Sequence, residues 1–126
     1  MKNLAVVLAF IASVVFYNSV EAQVDFPKAD FLKTMNDFDK DELDLSEEQS
    51  SELKDLNSDM VSSVSNILNS DKDKEKKIAD LTNLKSNTSK KGKDILGEDK
   101  FKKYKKSMKK KLKPFTRKTK LLKFAL

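Results

Sequence analysis

Apolar residues recur along most of this chain at steps of three and four between polar ones, a rhythm that predicts helices. Phe31, Leu32, Met35 and Phe38 form the first stripe, in a helix expected from about Lys28 to Asp39 after Pro27. The acidic stretch Asp37-Phe38-Asp39-Lys40-Asp41-Glu42 is expected to end it. Leu53, Leu56, Met60, Val64 and Ile67 or Leu68 mark a second, longer helix. Ser46 and Gln49 stand at its N-cap and N3 positions, where each side chain can satisfy the other's backbone N–H in a capping box. Asn69-Ser70-Asp71 reads as a short turn and a new cap before a third stripe of Ile78, Leu81, Leu84, Thr88 and Ile95. Gly97 supplies the next break, either just after the third helix or as N-cap of a fourth. Glu98 and Asp99 fall in the fourth helix's first turn, where the helix dipole favours anions. Its stripe of Phe101, Tyr104, Met108 and Leu112 runs up to Pro114, which is expected to interrupt it.

The fold class implied is all-α: a long helical hairpin with a short N-terminal helix and a basic C-terminal helix. The two hairpin helices would each be about 35 Å long at the α-helical rise. A hairpin with one apolar stripe per helix cannot enclose a core by itself, so the remainder must face the flanking helices, a second subunit, a client or solvent. The chain's two glycines and two prolines are few for the many turns of a β-rich fold.

The start of the chain breaks the rhythm. Leu4 to Phe16 is nearly all apolar, Lys2 precedes it, and Val20 and Ala22 occupy the −3 and −1 positions of a cleavage site before Gln23. The run is shorter than the about 20 residues of a spanning helix. Residues 1–22 are therefore expected to be a signal peptide cleaved after Ala22. Residues 23–113 would form one helical domain, and residues 114–126 a basic amphipathic tail. The chain has no cysteine. Small secreted domains of eukaryotes usually depend on disulfides, so this absence favours a bacterial envelope protein in the periplasm. The sequon Asn87-Thr88-Ser89 counts slightly the other way.

Charge is strongly segregated. From Lys100 to Leu126 the chain carries twelve Lys, one Arg and no acid, a net of +13, whereas residues 23–99 carry nineteen acids against twelve bases. Such a basic block repels itself and needs a negative partner. The acidic part of the same chain is one candidate, by folding back or across a dimer; acidic clients and anionic lipid are the external ones. Nucleic acid would bind electrostatically, but none is expected where the leader directs the protein. Within the tail, Phe115, Leu121, Leu122, Phe124 and Leu126 alternate with cations. It reads either as a segment docked over the open hairpin or as a sticky arm for membranes or unfolded chains.

The residue inventory excludes several chemistries. With no His and no Cys, nucleophile–imidazole catalysis and an ordinary zinc site lack their ligands. Gly92 and Gly97 are the chain's two glycines and make no phosphate-binding loop. The carboxylates are dispersed among lysines and read as solvated helix faces rather than an acid–base pair. Asp37, Asp39, Asp41 and Glu48 match four positions of a calcium-loop template, but Glu42 stands where the template needs Gly for its turn. Asp71-Lys72-Asp73-Lys74-Glu75 fails likewise, with Lys76 at the sixth position and Thr82 at the twelfth. Acidic helix-ending turns account for both. No enzyme activity, metal or other cofactor is expected.

One echo carries a family likeness. Leu45-Ser46-Glu47-Glu48-Gln49 returns in altered form as Leu96-Gly97-Glu98-Asp99-Lys100, each set at the start of a helical pattern. A Leu-Thr-x-x-Gln box that opens a long helix and repeats one hairpin later resembles the Spy/CpxP family of periplasmic proteins. The motif residues matched are Leu45, Ser46, Gln49 and Leu96; Ser replaces Thr in the first box, and the second lacks both Thr and Gln. Phe101 and Tyr104 are similar to the aromatic pair that often follows the second box. The resemblance covers about Leu45 to Lys113. It implies a curved all-helical homodimer with a concave surface, acting as an ATP-independent holdase chaperone or in envelope stress. The family's zinc-binding branch does not suit a chain without His or Cys.

The function expected is thus capture of unfolded or acidic protein clients in the periplasm. Lys102, Lys103, Lys106 and Lys110 would attract them. The stripe of Phe101, Tyr104 and Met108 reads either as core or as the apolar client site. Two alternatives stand beside it: a cationic envelope-surface protein that binds anionic lipid, and a stress-signalling modulator that docks on a sensor domain.

Overall fold

The computed structural model describes residues 26–126, so the expected signal peptide and its cleavage site lie outside the described residues. Those residues form five α-helices and a final 3₁₀ turn, with no strand among them. The helices are α1 (Lys28–Met35), α2 (Glu47–Leu68), α3 (Lys74–Leu96), α4 (Glu98–Lys111) and α5 (Lys113–Lys118), followed by the 3₁₀ turn Lys120–Phe124. None of the described helices is long and apolar enough to cross a membrane. The all-α class follows directly.

Helix α2 begins at the expected capping box. Ser46 Oγ accepts the N–H of Gln49 at 3.0 Å, and Gln49 Oε1 accepts the N–H of Ser46 at 3.0 Å. The amide of Gln49 goes further: Nε2 donates to the carbonyl of Ile95 at 3.1 Å. One side chain therefore satisfies an orphan donor at the start of α2 and an orphan acceptor at the end of α3. At the opposite end of the pair, Lys77 Nζ from the first turns of α3 donates to the carbonyl of Leu68 at 2.8 Å. The two ties join start to end and end to start, so α2 and α3 run antiparallel.

Three expected boundaries move. Helix α1 ends at Met35 rather than near Asp39, because Asn57 and Tyr104 take the Met35 carbonyl and Phe38 turns back edge-on to the Tyr104 ring at 5.8 Å. The N-cap of α3 is Asp73, whose carboxylate accepts the N–H of Lys76 at 2.9 Å, two residues beyond the expected Asp71. Pro114 does not simply stop a helix. The chain bends at Leu112, and Pro114 sits in the first turn of α5, where its missing N–H costs nothing.

The core gathers stripes from every element. Phe31, Leu53, Val61, Val64, Leu68, Leu81, Leu112 and Leu122 are sealed from solvent. Phe31 of α1 meets Phe115 of α5 edge-on at 5.2 Å. On α3, Leu81 lies in the core as expected, but Lys77, Gly92 and Leu96 are buried too, while Ile78, Leu84, Thr88 and Ile95 are half-buried. The tail docks rather than projecting: Thr119, Leu122 and Ala125 are buried, and the 3₁₀ turn packs on α3. The open side of the hairpin is thus partly covered from within the same chain.

Gly97 joins α3 to α4 with φ 80°, in the left-handed region that favours glycine. Both expected roles are met at once, since its N–H donates to the Lys93 carbonyl and its own carbonyl accepts the N–H of Phe101.

Candidate functional site

Helix α4 presents three kinds of surface, set by a period of 3.6 residues. Its inner stripe is Phe101, Tyr104 and Met108, each at most 6% exposed, with Leu112 just beyond. Of the two expected readings for that stripe, these positions take the core one. Phe101, Tyr104 and Met108 are not available as an exposed client surface, because they are buried in the core cluster with residues of α1, α2, α3 and the tail. Gly92 makes room for the Phe101 ring: a β-carbon built there would overlap it.

The outer face is cationic. Lys102, Lys103, Lys106 and Lys110 are all exposed, as are Lys113, Arg117, Lys118, Lys120 and Lys123. Successive pairs on α4 fall on the same side of the helix, which concentrates the field rather than dispersing it.

One flank of α4 faces the acidic turn between α1 and α2. Lys100 Nζ donates to the Asp44 carbonyl at 2.5 Å, and Lys111 reaches Asp37, donating to its carbonyl and approaching its carboxylate at 3.7 Å. The turn is braced internally, with Asp39 Oδ1 accepting the N–H groups of Asp41 at 2.9 Å and Glu42 at 3.1 Å. Asp44 takes φ 53°, one of the few conformations that suit an Asp outside the usual regions. Between this turn and α4 lies an open groove of about 630 Å³, with Asp39 and Glu42 on one wall and Lys103, Lys106 and Lys110 on the other. Ion pairs among the described residues are Lys40–Glu47, Lys72–Asp80 and Lys111–Asp37. Of the thirteen cations from Lys100 onward, Lys111 alone is paired with a carboxylate among the described residues. The chain's own acids pair with Lys111 and face Lys103, Lys106 and Lys110 across the groove without pairing with them, so these three lysines and Lys102 stand exposed.

The other flank of α4 faces α3. Lys105 is half-buried there, beside Lys85, Lys93 and Lys109. Burial, then the like charges of Lys85, Lys109 and Lys93, push its ammonium below the ordinary lysine value. By sequence Lys105 and Lys109 belong to the undivided basic block from Lys100 onward, whereas Lys85 and Lys93 lie in the net-acidic part of the chain. Their signal was available in part, since Lys105 and Lys109 are one helical turn apart, but the contribution of Lys85 comes from another helix.

The motif residues are structural in this setting. Leu45 and Leu96 are buried in the core cluster, while Ser46 and Gln49 cap and tie helices. No protein-family model, curated protein or solved structure matches the chain.

Proposed function

We propose that this is a non-catalytic binding protein whose cationic α4–α5 face captures acidic protein clients, as the likeness to Spy-type holdases implies. The observation that carries the reading is the outer face of α4, where Lys102, Lys103, Lys106 and Lys110 stand exposed with no carboxylate paired to them among the described residues. A face of this kind attracts an acidic partner from a distance and accelerates encounter. With Phe101, Tyr104 and Met108 serving the core, capture depends on charge first and on apolar contact second. Release without ATP then follows from client folding, which withdraws the segments that made contact. Export to the periplasm and a homodimeric state belong to the same proposal; sedimentation tests the dimer.

The test is aggregation of an acidic, chemically unfolded client, followed with the protein at stoichiometric amounts and over a salt series. Suppression that weakens with salt, and that falls in the Lys102/Lys103/Lys106/Lys110→Gln variant, supports the reading. Suppression equal in variant and wild type, or none at low salt, overturns it.

A second reading draws on the tail, where Phe115, Leu121 and Phe124 are half-buried next to exposed cations. Half-exposed rings beside lysines suit an anionic lipid surface. Pelleting with anionic but not neutral vesicles, in place of client protection, would favour it.

A further inference from the structure

On the flank of α4 that faces α3, the helices part around a cavity of about 50 Å³. Leu56 and Met60 of α2 and Met108 of α4 line it, and Leu126 at the end of the tail borders it. Asn57 and Tyr104 also reach the cavity, but their polar atoms are already engaged with each other and with the Met35 carbonyl. Its interior therefore offers apolar contact and few free hydrogen-bonding groups.

The rim is different. Lys85 of α3 and Lys105 and Lys109 of α4 line the same cavity, as do Thr88 and Ser89 of α3. No carboxylate is paired with any of these three lysines among the described residues. Like charges gathered at a partly buried site without a counterion oppose one another; burial first, and then Lys85, Lys109 and Lys93, hold the Lys105 ammonium below its ordinary value. An apolar cleft and an unanswered cationic rim would be relieved together by a single ligand that has one apolar end and one anionic end.

We propose that this cleft binds a small anionic amphiphile, a carboxylate with a short apolar tail. The tail lies against Leu56, Met60 and Met108, and the carboxylate meets Lys85, Lys105 and Lys109. The cavity has room for about four water-sized groups in contact, which suits a tail of roughly four to six carbons rather than a long acyl chain. The site is separate from the outer face of α4, because none of its three lysines belongs to the set proposed to steer clients.

Calorimetric titration of the protein with hexanoate, acetate, hexanol and inorganic phosphate tests the assignment. Hexanoate is expected to bind once per chain and at least about tenfold more tightly than the other three, since acetate and phosphate lack the tail and hexanol lacks the charge. Lys105→Gln removes one of four neighbouring like charges, so its Tm is expected not to fall, while its affinity for hexanoate drops about tenfold. Lys90→Gln, on the exposed side of α3, is expected to leave that affinity unchanged. Hexanoate binding no tighter than acetate or hexanol overturns the proposal. So does binding at many sites per chain, or equal weakening by Lys90→Gln and Lys105→Gln.

Discussion

The hydroxyl of Tyr104 lies 3.2 Å from Oδ1 of Asn57, and the two side chains converge on the carbonyl of Met35, at 3.1 and 3.3 Å respectively. Asn57 also donates to Asn36 Oδ1 at 3.0 Å. Three helices meet in this network, which ends α1 and satisfies an asparagine that is 1% exposed. A buried amide without partners would destabilise the fold by several kcal/mol in an apolar surrounding, so the cluster holds only as a set. Tyr104→Phe is expected to cost about 1 kcal/mol, and Asn57→Ala about 2–3 kcal/mol. The double variant should cost less than the sum, because both changes remove the same bond. Denaturant unfolding of the three variants measures this; strict additivity would show that the groups act independently.

Alkaline pH should expose the same residue. Burial raises the Tyr104 phenol above its ordinary value of 10.0, so the folded state holds the neutral form more firmly than the unfolded chain does. A group raised in this way contributes stability that is fully present below the unfolded value and is lost as pH climbs past it. The wild type is therefore expected to lose stability more steeply above about pH 10 than Tyr104→Phe does. Melts of both proteins across that range give the difference curve, and parallel curves would argue against a buried phenol.

Two glycines serve different ends and should respond differently to alanine. At Gly97 an added β-carbon meets nothing within 4 Å, so the cost of Gly97→Ala is that of the backbone alone, about 1–3 kcal/mol at φ 80° and ψ 164°. At Gly92 the β-carbon would collide with the Phe101 ring. Gly92→Ala gains about 1 kcal/mol of helix propensity and loses about 1–3 kcal/mol to overpacking, a net destabilisation. Phe101→Leu in the same chain should relieve that clash but not the cost at Gly97. Equal responses from the two pairs of variants would contradict this division.

The cap at the start of α2 separates into two parts. Ser46→Ala removes one acceptor and is expected to cost about 1 kcal/mol. Gln49→Ala removes its half of the box and also the bond to the Ile95 carbonyl, so it should cost about twice as much. Hydrogen exchange should further show loosening near Leu96 in Gln49→Ala but not in Ser46→Ala. A change confined to the start of α2 in both would mean that the tie between helices is weak.

Phe101→Ala decides what the α4 stripe does. As a core ring it is expected to cost about 3–5 kcal/mol, a large part of the stability of a domain this size. Circular dichroism melts beside a client-aggregation assay read both consequences. Unchanged stability with lost protection would return the ring to the client surface.

By itself the sequence determined those features whose cause lies within a few residues. The steps of three and four placed α2, α3 and α4, because the helical period alone sorts Leu53, Met60 and Val64 or Phe101, Tyr104 and Met108 onto one side. Ser46 and Gln49 made the cap of α2 legible, and Gly97 the junction before α4, since each acts on backbone no more than four residues away. The separation of acidic from basic residues could also be read directly. The tertiary structure alone decided where α1 stops, because Tyr104 reaches Met35 across 69 positions and Asn57 across 22. It decided that Asn57 and Lys77 are buried, polar residues that local pattern assigns to solvent but that find carbonyl partners on neighbouring helices. It docked the tail, and it divided the basic block into Lys111 paired with the acidic turn, an exposed face whose Lys103, Lys106 and Lys110 line the groove beside that turn, and a cluster shared with Lys85 of α3. Pattern reports which side of a helix is apolar. Which charged neighbour stands opposite each side depends on how helices are brought together, and no local spacing encodes that.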